Sequence, residues 1–168
     1  MTPLVSIIMG STSDLPVMKK AADYLNSMQI PFEMLALSAH RTPEEVAEFA
    51  RNAAPRGVKV IIAGAGMSAA LPGVIAAITP LPVIGVPLGA TLMGQDALLS
   101  VAQMPPGIPV AATGIDGAMN AAVLATRIIS LSDPEVAERY NAWREGLGQK
   151  IVKANADLRE IHYDFKTN

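Results

Sequence analysis

The stretch that decides the fold class is VIIAGAGMSAALPGVIAAITPLPVIGVPLGATLMGQ, residues 60–95, which contains no charged side chain. Four prolines, Pro72, Pro80, Pro82 and Pro87, divide it into pieces much shorter than the roughly 20 residues that a membrane-spanning helix needs. Short apolar pieces bounded by glycine and proline are typical of buried parallel strands and of the tight turns after them. The stretch therefore predicts two strands of a parallel sheet, over residues 58–63 and 81–86.

Strands and helices alternate outward from this stretch towards both ends of the chain. Further strands are predicted over residues 5–9, 32–37 and 108–112, and helices over residues 15–28, 96–103, 118–130 and 134–158. Thr42, followed by Pro43 and two glutamates, marks another helix start, and Asp133 is expected to cap the last helix. Repeated strand-loop-helix units predict one three-layer αβα domain over residues 1–168, ending in a polar tail over residues 161–168.

The composition restricts the classes of partner and of chemistry. The formal net charge is −2 and there are no cysteines, so neither a nucleic-acid-binding surface nor disulfide or thiolate chemistry is indicated. The chain has two histidines, which argues against a histidine-based metal cage. Its first residues lack the basic patch and long apolar run of a signal peptide. We therefore expect a cytoplasmic protein with no metal site and no membrane anchor.

The proportion of apolar residues is high for a chain of this length. Charged residues make up 17%, against roughly 25% in a typical soluble domain, and hydrophobic residues make up 51%. A monomer of 168 residues cannot hide so many apolar helix faces, so subunit packing, and hence a homo-oligomer, is predicted. An unusually apolar monomer is the alternative.

The loop after the first predicted strand is GSTSD, residues 10–14. In sheets of this kind ligands bind beyond the carboxyl ends of the strands, so the loops after successive strands meet in space. Backbone N–H groups at the helix start, with the hydroxyls of Ser11 and Ser13, can bind an anion such as a phosphate. The charge of Asp14 suits two ribose hydroxyls better than a phosphate. The alternative is that Ser13 or Asp14 only caps the helix.

The loop after the second predicted strand is SAHRTP, residues 38–43, and contains His40 and Arg41. An arginine can form a bidentate pair with a phosphate, and a histidine can transfer a proton near neutral pH. The alternative is a histidine that satisfies a backbone carbonyl beside an arginine in a surface ion pair. Few other groups in these apolar surroundings could carry out acid-base chemistry, which favours the functional interpretation.

The loop after the third predicted strand, GAGMSAALPG at residues 64–73, offers backbone groups rather than reactive side chains. It allows close approach to a flat ligand, although tight packing of a helix on the sheet would need the same small residues. QMPPG, residues 103–107, predicts a rigid turn that could line the same pocket. The absence of a GxxxxGK[ST] motif disfavours an ordinary P-loop nucleotidase, and His162 in the tail is expected to be a surface residue.

These loops together closely resemble the motifs of class I PurE, the N5-carboxyaminoimidazole ribonucleotide mutases of bacterial purine synthesis. The matching segments are GSTSD (10–14), SAHRTP (38–43), AGAG (63–66), LPG (71–73) and QMPPGIPV (103–110), within a resemblance that runs from about Val5 to Trp143. The resemblance implies flavodoxin-like subunits in an octamer with active sites at subunit contacts. It also implies a reaction without metal or organic cofactor, in which a carboxylate moves from the exocyclic nitrogen of the aminoimidazole to ring carbon C4.

The resemblance implies roles for individual residues. The family's phosphate- and ribose-binding positions match Ser11, Asp14 and Arg41, and its histidine matches His40, which would act as general acid and base. The full set of substrate-binding positions that we expect is Ser11, Ser13, Asp14, Ser38, Arg41, Gly64, Ala65, Gly66 and Leu71.

The chain departs from the family pattern in the third loop and after the fourth strand. Ala70 stands where many members have a second histidine, and Met67-Ser68 stands where glycine and alanine are more usual, so a mechanism that needs two histidines is disfavoured. Leu88-Gly89-Ala90 is also less typical, at a possible lid or subunit contact. One alternative is the class II enzyme, which carboxylates aminoimidazole ribonucleotide directly with CO2. The Arg41-Thr42-Pro43 sequence argues against it, since class II enzymes tend to have a lysine and a glycine in that region. Another alternative is a catalytically silent nucleotide-binding module. The joint retention of Ser11, Asp14, His40 and Arg41 argues against it.

Overall fold

The computed structural model describes all 168 residues, Met1–Asn168, and its centre is a five-stranded parallel sheet. The strand order is β2-β1-β3-β4-β5, which is the doubly wound order of flavodoxin-like folds and confirms the predicted fold class. The strands are β1 (Val5–Met9), β2 (Phe32–Ala36), β3 (Val60–Gly66), β4 (Val83–Leu88) and β5 (Ala111–Ala112).

Six α-helices cover both faces of the sheet. They are α1 (Leu15–Ser27), α2 (Pro43–Ala53), α3 (Leu71–Ile78), α4 (Gln95–Ala102), α5 (Ala118–Ser130) and α6 (Pro134–Arg159), with short 3-10 turns at Thr12–Asp14 and Leu92–Gly94. Helices α1 and α5 pack on one face, and α2, α3 and α4 pack on the other. No helix combines the length and apolar character that crossing a membrane would require.

Alternation of side chains along the strands produces the two halves of the core. Ile7 and Ile62 pack with α1 and α5, whereas Ile8 and Ile61, one position away on the same strands, pack with the opposite helical layer. All four side chains are fully buried. Burial on both faces explains why the central strands are continuous apolar runs rather than alternating ones.

Four elements differ from the sequence prediction by two residues or more. β3 and β4 begin two residues later than predicted and continue to Gly66 and Leu88, because the two strands pair with each other as far as those residues. Pro87 therefore lies inside β4. Its missing N–H breaks no pairing, because β5 pairs only with Ile84 and Gly85. β5 has two residues instead of five, and α3 over Leu71–Ile78 was not predicted.

Helix α6 begins with the predicted cap. Helix α2 begins at the predicted residue but without a side-chain cap. Asp133 Oδ1 accepts hydrogen bonds from the backbone N–H groups of Glu135 and Val136, both at 3.1 Å, which caps α6. Thr42 precedes α2 but makes no side-chain cap bond to that helix. Its hydroxyl is used in the preceding loop instead.

Candidate active site

Four loops meet at the carboxyl edge of the sheet, where they enclose a cleft of about 390 Å³. They follow β1, β2, β3 and β4, as the parallel topology requires. The lining residues are Gly10, Ser11, Ser13, Asp14, Ser38, Ala39, His40, Arg41, Ala65, Gly66, Met67, Ala69, Ala70, Leu71 and Ala90. Residues separated by some eighty positions in the sequence thus form one concave surface.

The loop after β1 forms the cap that its sequence allowed and also leaves polar groups without protein partners. Ser11 caps the 3-10 turn: its Oγ accepts from the Ser13 N–H at 3.0 Å, and its own N–H donates to Asp14 Oδ2 at 3.1 Å. The hydroxyls of Ser11 and Ser13 lie 2.6 Å apart, so the pair shares one hydrogen bond. Asp14 Oδ1 accepts no hydrogen bond from the protein. Hydroxyl groups and one carboxylate oxygen therefore remain available to a ligand in the cleft.

The loop after β2 holds His40 and Arg41 by its backbone. The Arg41 N–H donates to Ser38 Oγ at 3.2 Å, and the Thr42 N–H donates to the Ser38 carbonyl at 2.8 Å, which closes a tight turn. The side chains of His40 and Arg41 are exposed and make neither a hydrogen bond nor an ion pair within the chain. The structure therefore contradicts the alternative in which His40 satisfies a backbone carbonyl and Arg41 forms a surface ion pair. Both groups are free to contact a ligand.

The opposite wall of the cleft consists of small apolar residues and backbone. Ala65 and Gly66 end β3, and Leu71 begins α3 with no side chain capping its N-terminus. Between them, Met67 and Ala69 adopt positive φ angles of 56° and 36°. Ala90, from the loop after β4, lies at about van der Waals distance from Gly66, because a Cβ placed on Gly66 would be 3.4 Å from the Cβ of Ala90. This wall presents a flat, apolar surface with little side-chain chemistry.

Some residues that the sequence singled out lie outside the cleft. Gly64 does not line the cleft, and an added Cβ there would overlap the sulfur of Met18, so the absence of a side chain lets Met18 pack against the strand. The turn at residues 103–107 does not line the cleft either, and the side chain of Met104 packs behind Gly73. His162 is exposed in the tail, as expected.

Other lining residues were not among the predicted site positions. Met67, Ala69, Ala70 and Ala90 are apolar and carry no chemical signature, so residue type alone could not select them. Their position after β3 and β4 was the available signal, because every loop at the carboxyl edge of a doubly wound sheet is a potential ligand contact.

A second and larger concavity, of about 730 Å³, runs along one side of α6. It contains neither a histidine nor a group of converging hydroxyls. Its lining residues are Asn141, Arg144, Glu145, Gly148, Gln149, Val152, Lys153 and Ala156. All of them come from one helix, so this groove is an uncovered helix face rather than an enclosed ligand site.

Comparison with known proteins shows the family to which the chain belongs. The AIR carboxylase family model matches residues 4–150. N5-carboxyaminoimidazole ribonucleotide mutase of Pyrococcus abyssi is 55% identical over 160 residues, which cover 95% of this chain and 92% of that protein. Phosphoribosylaminoimidazole carboxylase of Candida albicans is 49% identical over 97% of this chain, but that match covers only 29% of the Candida protein. The solved structure of Treponema denticola PurE superimposes with a TM-score of 0.86 at 33% identity, covering 94% of this chain and 99% of that one. The chain belongs to the AIR carboxylase family.

Proposed function

We propose that this protein is an N5-carboxyaminoimidazole ribonucleotide mutase of de novo purine (IMP) biosynthesis. The reaction moves a carboxylate from the exocyclic nitrogen to ring carbon C4 and gives 4-carboxy-5-aminoimidazole ribonucleotide. The main structural support is that His40, a free proton carrier, lies in one cleft with Arg41 and the hydroxyls of the loop after β1. The 55% identity to the Pyrococcus abyssi mutase supports the same activity.

The polar side of the cleft is suited to the ribose phosphate of the substrate. Arg41 is exposed and unpaired, so its guanidinium can form two parallel hydrogen bonds with a phosphate. The Ser11–Ser13 pair adds one free hydroxyl donor beside it, and the free oxygen of Asp14 can accept from the ribose hydroxyls. In this proposal the aminoimidazole ring lies between His40 and the small-residue wall.

His40 is the proposed general acid and base. The carbamate N–C bond breaks and releases CO2, while the imidazolium of His40 donates a proton to the exocyclic nitrogen. The electron pair of ring carbon C4 then forms a bond to the CO2 carbon, and the neutral His40 removes the C4 proton to restore aromaticity. One proton is donated and one is taken back, so the side chain returns to its starting state.

The small-residue wall has a role in the same scheme. CO2 must stay beside C4 between the two steps, and a dry, close-fitting pocket keeps it at high effective concentration. Ala65, Gly66, Ala69 and Ala70 provide a surface without polar side chains that would hold water. Ala70 carries no proton donor, so the scheme uses His40 alone.

We also propose that the whole chain acts as one domain in a cytoplasmic homo-octamer. The support is the uncovered side of α6, a helix whose only buried residue is Val136 although it carries the exposed apolar side chains of Leu147, Ile151 and Val152. Burying such side chains between subunits would stabilise an assembly. Light scattering coupled to size exclusion tests this: eight chain masses support it, one chain mass contradicts it, and Ile151→Asp should shift the mass downward.

The function is tested by following two reactions of the purified protein by ultraviolet absorbance. One cuvette contains N5-carboxyaminoimidazole ribonucleotide, and the other contains aminoimidazole ribonucleotide with bicarbonate. Rapid conversion of the carbamate, with little dependence on added bicarbonate, is the expected result. Turnover only in the second cuvette would identify a direct carboxylase, the activity that the name of the Candida relative suggests. Binding of nucleotide without turnover in either cuvette would identify a silent binding module.

A further inference from the structure

The turn between β3 and α3 has an unusual backbone. Met67 and Ala69 both have positive φ angles, 56° and 36°, which side chains other than glycine disfavour. Both residues line the cleft. Backbone strain of this kind persists only where the surrounding structure holds it in place. Contacts from outside the turn must therefore hold this part of the cleft wall.

One hydrogen bond ties the turn to another element. The hydroxyl of Ser100, on α4, donates to the backbone carbonyl of Ser68, which lies between the two strained residues. The remaining bond of the turn is local, from the Ala69 N–H to the Gly66 carbonyl at 3.0 Å. Helix α4 is a firm support, because Ala97 and Val101 are buried against the sheet. The Ser100 hydroxyl thus connects the strained turn to the core.

Nothing else in the structure accounts for a serine at this position. Ser100 is exposed, and alanine is a better helix former than serine at an exposed position. Its hydroxyl makes no second hydrogen bond, so the Ser68 carbonyl is its only protein partner. The Ser100 hydroxyl therefore supports the turn in the cleft wall and does not stabilise α4.

We propose that Ser100 is a positioning residue for the mutase reaction, an inference that rests on the function proposed above. Its hydroxyl holds the Met67–Ala69 turn so that the small-residue wall stays closed against the aminoimidazole ring and the CO2 released from it. Ser100 is not among the residues that line the cleft. The polar groups that bind ribose and phosphate belong to other loops, so loss of this hydroxyl loosens the wall without removing them.

The test compares Ser100→Ala, which lacks the hydroxyl, with Ser100→Thr, which keeps it. Ser130→Ala is the matched control, because that helix hydroxyl donates only to the Arg127 carbonyl of its own helix, at 2.7 Å. For Ser100→Ala we expect kcat to fall about threefold to tenfold, the range for losing one hydrogen bond. The Kd for the nucleotide product should change less than twofold. Ser100→Thr should restore kcat, and Ser130→Ala should match the unmodified protein.

Amide hydrogen exchange of residues 67–70 provides a readout that does not depend on activity. Exchange should become faster in Ser100→Ala and stay at the original rate in Ser100→Thr. Unchanged exchange and unchanged kcat in Ser100→Ala would overturn the proposal, as would a loss of kcat that Ser100→Thr fails to restore. If the unmodified protein does not isomerise the carbamate, the function proposed above fails instead. Faster exchange in Ser100→Ala would then still establish that Ser100 holds the turn, without a role in that reaction.

Discussion

Ser38 and Thr42 are joined to each other through a single hydroxyl group. The Ser38 N–H donates to Thr42 Oγ1 at 2.9 Å, and that same hydroxyl donates to the Ser38 carbonyl at 3.2 Å. The Thr42 N–H donates to this carbonyl as well, at 2.8 Å. The two residues thereby close the turn that carries His40 and Arg41. Because those two side chains have no protein partners of their own, their positions depend on this closure.

Replacing Thr42 with valine should weaken both catalysis and the fold. Valine keeps the shape of threonine but removes both hydroxyl bonds, which together contribute about 1–3 kcal/mol. We expect kcat/KM to fall about tenfold, in line with about 1.4 kcal/mol per factor of ten, and Tm to fall by a few degrees. Steady-state kinetics and a thermal melt provide the measurement. Thr42→Ser retains the hydroxyl and should remain close to the original activity; equal losses in both variants would contradict the argument.

Replacing His40 with asparagine should separate binding from turnover. Asparagine keeps a polar side chain in the cleft but cannot exchange a proton near neutral pH. Removal of a general acid-base group typically costs about 10²- to 10⁴-fold in rate, so kcat should fall by at least the lower figure. The Kd for the nucleotide, measured by calorimetry, should stay within a few-fold, because Ser11, Asp14 and Arg41 are intact. Substantial residual turnover would mean that another group, or solvent, transfers the proton.

The sequence predicted the sheet and the polar half of the cleft well. Buried parallel strands such as β1 are continuous apolar runs, and Ser11, Asp14, His40 and Arg41 stand out because they are polar residues in the loops that follow β1 and β2. The flavodoxin-like strand order and the octamer came from the family resemblance. The strand order is confirmed by the pairing of the strands, and the octamer stays a prediction.

The apolar half of the cleft was harder to predict, for a physical reason. Gly64 and Gly66 are two positions apart on β3, so strand alternation alone does not distinguish them. Gly64 packs on Met18, whereas Gly66 lies at the strand end, beside Ala90 and in the cleft. The neighbours of these two glycines come from α1 and from the loop after β4. The residue pattern of β3 alone therefore cannot predict them. The Ser100 bond to Ser68 is a long-range contact of the same type.

Two core glycines should resist substitution to different degrees. A Cβ on Gly85 would overlap Val101 and lie 3.0 Å from Val110, both β-branched side chains, whereas a Cβ on Gly64 would meet only the flexible end of Met18. We expect Gly85→Ala to lower the free energy of unfolding by about 1–3 kcal/mol and Gly64→Ala by less. Gly146→Ala, in open space on α6, should instead stabilise by up to about 1 kcal/mol. Urea unfolding of the three variants tests this order, and an equal cost at Gly85 and Gly64 would contradict it.

Glu33 should make the fold sensitive to acid through its contacts at the edge of the sheet. It pairs with both guanidinium nitrogens of Arg56, one of them at 3.0 Å, and its Oε1 accepts from the Ser6 hydroxyl at 2.7 Å. The hydrogen bonds from Arg56 lower the pKa of Glu33 below its ordinary value of 4.5, against the effect of partial burial, and the Ser6 hydroxyl lowers it further. The unfolded chain therefore binds this proton more readily than the folded one. The stabilisation from the ionised carboxylate is complete above pH 4.5 and is lost as pH falls through the lower, folded-state pKa.

Replacing Glu33 with glutamine removes this titration. The difference in free energy of unfolding between the unmodified protein and Glu33→Gln should be constant near neutral pH and should shrink as pH falls below 4.5. Urea unfolding across the acid range measures it, with Glu48→Gln, an exposed glutamate on α2 with no hydrogen-bond partner, as the control. A difference that stays constant through the acid range would mean that the carboxylate gains nothing from Arg56 in the folded state. The control variant leaves the contacts of Glu33 with Arg56 and Ser6 in place, so the loss of stability that those contacts cause in acid should persist in it.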